Sequence, residues 1–195
     1  KKIQHYGEVL KVINERQLHE VINKYQLSLT REKKNHILKY SEVTEINLIL
    51  DYLINELKID RKNIEKCPSI LTQSLKVIKT NYQLLQEKQI FNYSIESCLH
   101  ILGVKTEDLI DTYNYVSENY GEEILNSNTT ILRESVDKIK EVETYLKGLV
   151  SDQVLIGACI TNRPVEEMVE IVKICQREKV KLTSTMFKQS PKQVE

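Results

Sequence analysis

The chain has 195 residues, enough for one substantial domain or one elongated array with a real apolar core, and 28 basic residues balance 28 acidic ones. That balance gives no global push toward nucleic acid, a membrane or an acidic substrate, and no apolar run reaches the roughly 20 residues of a membrane span. The charge is nevertheless segregated: residues 1–90 carry sixteen basic against eleven acidic side chains, residues 91–150 five against eleven, and residues 151–195 seven against six.

Only three prolines and five glycines occur, and apolar residues fall three and four apart almost throughout, so the whole chain reads as helical. Residues 3–25 offer one or two amphipathic helices through Val9, Ile13, Leu18, Val21, Ile22 and Tyr25. Ser41 to Ile59, with Ile46, Leu50, Leu53 and Leu57, reads as a long helix. Pro68 disfavours helical geometry at Cys67 and ends a short helix begun near Arg61, after which a longer helix is expected from about Ser74 to Lys88. Ser94 is the expected cap of a short helix through Ile101, Gly103 breaks it, and Thr106 with Glu107 and Asp108 opens a long helix that Gly121 ends. Asn162, Pro164, Glu166 and Glu167 signal a helix start, continuing to about Lys179. From Thr183 to Glu195 the apolar spacing fails and a flexible tail is expected.

This alternation repeats. A shift of 31 sets Ile64, Cys67, Ile70, Leu71, Ile78, Tyr82 and Leu85 above Ile95, Cys98, Ile101, Leu102, Leu109, Tyr113 and Val116. Ile124, Ser127, Ile131, Ile139, Val142 and Tyr145 continue it with a slip, and Ile156, Cys159, Met168, Ile171 and Ile174 follow more loosely. A unit of this size cannot bury its own apolar face, so the expectation is all-α: an α-solenoid of about 30-residue short-helix, turn, long-helix repeats. N-terminal capping helices would occupy 1–36, the repeat array 37–182 and the tail 183–195.

Catalytic and metal chemistry finds no pattern. The scattered glycines form no phosphate loop, no GxSxG or HExxH is present, and the acid pairs Glu122–Glu123 and Glu166–Glu167 sit where a helix dipole favours them. Cys98 and His100 point to different sides of a helix, so no metal site is expected. Neither cofactor nor small-molecule substrate is evident. Cys67, Cys98, Cys159 and Cys175 lie far apart, three of them at one repeat position, which reads as buried apolar filler in a reducing, soluble compartment, cytoplasmic or organellar. The chain opens at Lys1 rather than methionine, which reads as processing or trimming, with any targeting segment out of sight. Tyr82 and Tyr113 read as core residues with hydroxyls reaching the surface, while Tyr40, Tyr93 and Tyr115 could stack on bases.

Arg31, Lys33, Lys34, Lys62, Lys66, Lys76 and Lys79 fall near short helices or the starts of long ones. Stacked units would line them up along a phosphate backbone.

The stretch RKNIEKCPSILTQSLKVIKTNYQLLQEKQI, from Arg61 to Ile90, resembles a repeat of the mitochondrial transcription termination factor (mTERF) family: Ile64, Pro68, Ile70, Leu71, Leu75 and Leu85 fit its short helix, proline and leucine-rich long helix. The segment ILGVKTEDLIDTYNYV is similar to the family's junction between units, and the likeness extends over about residues 37–180. Leu99 and Thr129 stand where the family's proline would recur. The resemblance implies a non-enzymatic solenoid holding double-stranded nucleic acid on a concave basic face and regulating gene expression. The alternative is a scaffold whose groove takes a peptide or helix, with the acidic stretch Glu107 to Glu123 meeting a basic protein partner.

Overall fold

The computed structural model describes residues 2–90 and 99–194, with side chains from Lys11 onward. Among them the regular structure is helical. The chain forms two compact units, residues 1–104 and 105–195. The expected cap Ser94, together with Tyr93, Ile95 and Cys98, lies outside the described residues.

The first unit contains α1 (Lys2–Lys24), α2 (Arg31–Tyr40), α3 (Val43–Asp51), α4 (Arg61–Lys66), α5 (Leu75–Glu87) and α6 (Leu99–Leu102). The helix expected over Ser41 to Ile59 begins as α3 and changes at Tyr52–Glu56 into a π-helix, with Leu57 N–H bonding to the Tyr52 carbonyl at 2.9 Å. The wider spiral turns Leu57 half out of the core, and Ile49, Leu53 and Ile59 are buried there. A 3-10 turn, Pro68–Thr72, buries Ile70 and Leu71 between α4 and α5. Proline fits at its first position, where no N–H is needed. Cys67, expected to be buried filler, is only half-buried, at the non-helical kink that ends α4.

The second unit contains α7 (Thr106–Tyr120), α8 (Glu122–Ser127), α9 (Val136–Leu146), α10 (Asp152–Cys159), α11 (Val165–Arg177) and α12 (Pro191–Val194). Thr106 is the first helical residue of α7, with Lys105 ahead of it as the cap. The tail expected to fray from Thr183 instead forms a 3-10 turn, Ser184–Lys188. Its Phe187 is fully buried and its backbone carbonyl accepts a hydrogen bond from Arg163 Nε at 2.7 Å. One aromatic anchor is enough where helical periodicity has stopped.

Element bounds recur at a constant shift of 61. Arg61–Lys66 becomes Glu122–Ser127, Pro68–Thr72 becomes Thr129–Arg133, and the caps Ser74 and Ser135 accept N–H bonds from Val77 and Lys138. Buried Ile64 is matched by Leu125, so the sequence alignment through Ile124 and Ser127 is one residue out of step with the structure.

Long helices also end alike. Among the described residues, positive φ occurs at Gln26, Lys58, Gln89, Gly121, Gly148 and Lys179, each just beyond the end of a helical segment. At Gln26 and Gln89 the next residue's N–H reaches back five positions, Leu27 to Ile22 at 3.0 Å and Ile90 to Leu85 at 3.1 Å. A side chain in this left-handed conformation is strained where glycine is not. Gln26→Gly and Gln89→Gly are expected to raise stability by about 0.5–1 kcal/mol each, measured by urea unfolding.

Candidate nucleic-acid interface

The seven cations singled out by the sequence lie in the first unit and divide into two groups. Lys33 and Lys79 are engaged. Lys33 follows the cap Thr30 on α2, and its Nζ donates to the Glu65 carbonyl at the end of α4 at 2.8 Å. The Glu65 carboxylate in turn accepts the Ser28 N–H at 2.5 Å, and Arg61 Nε donates to the Tyr25 carbonyl at 2.8 Å. These bonds fix α4 to the segment between α1 and α2, satisfying carbonyls that helix ends leave open. Lys79 sits 4.6 Å above the Tyr52 ring and 3.8 Å from Glu56, next to the π-helix. Burial foremost, with Tyr82 and Glu56 beside it, pushes the Tyr52 phenol up to about 12.

Arg31, Lys34, Lys62, Lys66 and Lys76 form no ion pair among the described residues. Lys62 and Lys66 lie four apart on the exposed side of α4, opposite buried Ile64, so they share one face. Asp60 Oδ1 caps that helix by accepting the Lys62 N–H at 2.7 Å. Lys76 is exposed in the first turn of α5, whose N-terminus is held twice: Ser74 Oγ accepts from Val77 N–H at 3.2 Å and Glu45 Oε1 from Leu75 N–H at 2.8 Å. The exposed cations thus ride on firmly capped helices.

The tyrosines also separate. Tyr40 is 57% exposed at the end of α2, its ring 5.0 Å from His36 and with Lys39 Nζ 5.1 Å over its centroid. Tyr115 is half-buried. Its hydroxyl donates to Glu143 Oε2 at 2.7 Å, while the Tyr120 hydroxyl donates to the other oxygen of the same carboxylate. Burial and this carboxylate push Tyr115 up to about 12 and Tyr120 higher still. Cys159 behind them is fully buried, and that burial pushes its thiol up to about 12.

At the shift of 61 the outward cations do not persist: Lys62, Lys66 and Lys76 become Glu123, Ser127 and Asp137. The cations expected between Arg31 and Lys79 therefore lack basic counterparts at Glu123, Ser127 and Asp137. Two buried polar residues that helical periodicity hides inside apolar stripes are more regular. Asn81 Nδ2 donates to the carbonyls of Leu102 at 3.1 Å and Val104 at 2.7 Å, and Thr112, 31 residues on, donates to the Glu134 carbonyl at 2.8 Å. Each long helix clamps the turn that begins the next one. A polar residue recurring at the repeat period is the sequence signal for it.

Among the described residues, no three His, Cys, Asp or Glu side chains converge on a metal-sized point. No described helix is long and apolar enough to cross a membrane. Comparison with protein-family models, curated proteins and solved structures gives no match to this chain.

Proposed function

We propose that this chain is a non-enzymatic helical-repeat protein of the mTERF-like kind, an α-solenoid that binds nucleic acid and regulates gene expression. The recurrence of element bounds at a shift of 61 and the paired clamps at Asn81 and Thr112 support the repeat reading. The functional reading rests on one observation: Arg31, Lys34, Lys62, Lys66 and Lys76 stand without ion pairs among the described residues. Flexible lysines on rigid, capped helices suit sequence-independent contact with a phosphate backbone.

The test is a mobility-shift titration against salt with a 20-base-pair DNA duplex and its RNA counterpart. Each released counterion contributes a slope of about 0.9 in log K against log salt for B-DNA. Lys62→Ala, Lys66→Ala and Lys76→Ala together are expected to flatten that slope by roughly 2–3 on DNA. No retardation of either duplex at low salt removes the proposal.

The scaffold reading has its own observation. Glu107, Asp108 and Asp111 are exposed on α7 beside Ile110, which is 38% exposed, and none of these acids has an ion pair among the described residues. A basic amphipathic peptide that binds while both duplexes fail would favour it.

A further inference from the structure

The near-neutral balance of residues 151–195 conceals a second segregation. Between Asp152 and Glu170 one arginine faces four acids, whereas between Lys173 and Lys192 five lysines and one arginine face Glu178 alone. That glutamate is taken by Arg177 Nε at 2.7 Å. Lys173, Lys179, Lys181, Lys188 and Lys192 are exposed and form no ion pair among the described residues. The helix dipole explains a cation at Lys179, beside the end of α11. It does not explain Lys181, Lys188 and Lys192.

The backbone beneath Lys188 and Lys192 is fixed. Phe187 is fully buried next to Lys188, its carbonyl held by Arg163, and Ser184 presses on Gly157 so closely that a Cβ there would stand 2.3 Å from the Ser184 Cβ. Gln193 Oε1 accepts from both the N–H and the hydroxyl of Ser190, at 2.9 and 3.1 Å, bracing the turn before Lys192. Lys188 borders an open cleft of about 520 Å³ with Thr161, Asn162 and Arg163. The carboxylate in that cleft, Glu167, is neutralised by Arg163.

We propose that Lys181, Lys188 and Lys192 form a second contact surface for a nucleic-acid phosphate backbone, in the second unit and independent of the cations on α4 and α5. The inference rests on the nucleic-acid reading above. A phosphate backbone is favoured over an acidic protein by charge complementarity together with the nucleic-acid reading above. Lysines are point charges on flexible stems that meet phosphates without a fixed geometry, as a contact indifferent to sequence requires. Such a surface adds affinity and salt dependence and carries no sequence preference.

The experiment uses the full chain with Lys181→Gln, Lys188→Gln and Lys192→Gln combined, compared with wild type and the Lys62, Lys66, Lys76 alanine variant on the same 20-base-pair DNA duplex. The expected result is a salt slope flatter by roughly 2–3, equal for two unrelated duplex sequences, with an unchanged circular-dichroism melt. An unchanged slope in the glutamine variant, while the alanine variant loses slope, overturns this inference and leaves the first interface standing. Wild-type protein that retards no duplex overturns both. Polyglutamate that displaces the duplex at equal charge concentration, and loses affinity equally in the glutamine variant, overturns the assignment to phosphate.

Discussion

Asn81→Leu should destabilise the first unit by about 2–4 kcal/mol, although leucine matches asparagine in size and is apolar in a buried position. The side chain is fully buried on α5, and its amide donates to two backbone carbonyls, Leu102 and Val104. Those carbonyls lie either side of Gly103, in the turn between α6 and the next long helix, where no intrahelical partner is available for the last carbonyls of α6. Removing the amide leaves a buried acceptor at Leu102 and a half-buried one at Val104 without this donor, and each unsatisfied buried group costs about 1–3 kcal/mol. Thr112→Val tests the equivalent position with one bond to the Glu134 carbonyl, so its expected loss is about half as large. The measurement is a urea midpoint followed by helical circular dichroism. An Asn81→Leu midpoint within error of wild type would mean that the turn does not depend on this clamp.

The same two residues mark what the sequence makes legible. Apolar spacing and caps locate α4, α5, α7 and α11 within a residue or two, because Pro68, Ser74, Gly121 and Pro164 act through purely local sterics and bonds. The register of the third clear repeat is off by one residue because Ile124 and Leu125 are both apolar, and only packing decides that Leu125 goes inside. The helix α2 is obscured for a different reason. Of its ten residues only Ile37 is buried, so it has almost no apolar stripe, and Thr30 capping with long-range bonds from Lys33 hold it in place. The π-helix at Tyr52–Glu56 has no periodic signature at all.

Charge was legible as composition and not as position. The sequence places the seven cations near short helices or the starts of long ones, but it does not distinguish Lys33 and Lys79, held by a carbonyl and by a ring with a carboxylate, from Lys62 and Lys66, which face outward. Those distinctions depend on contacts 23 to 32 residues away along the chain. The lysines after residue 179 carry no helical signal because apolar spacing fails there, and the segment is ordered by buried Phe187, the Arg163 bond to its carbonyl and the packing of Ser184 on Gly157.

Gly157→Ala carries the second large effect, and it tests that order directly. Glycine sits in the middle of α10, where it lowers helix stability by about 1 kcal/mol relative to alanine, so propensity alone predicts that alanine stabilises. Packing predicts the reverse. A Cβ at this position would lie 2.3 Å from the Ser184 Cβ and 3.0 Å from its Oγ, and a Cβ cannot rotate away as a flexible side-chain end can. The 3-10 turn must therefore move off α10, which strains or exposes Phe187 and the Arg163 bond to its carbonyl. The expected net cost is about 2–3 kcal/mol, at the upper end of overpacking penalties because helix and turn are both backbone-limited. Ser184→Gly removes the opposing Cβ. Combined with Gly157→Ala it should recover at least about half of the loss, a coupling readable from a double-mutant cycle in thermal unfolding. Additive effects of the two substitutions would show that the turn does not rest against α10 at this point, and the fixed support argued for Lys188 and Lys192 would go with it.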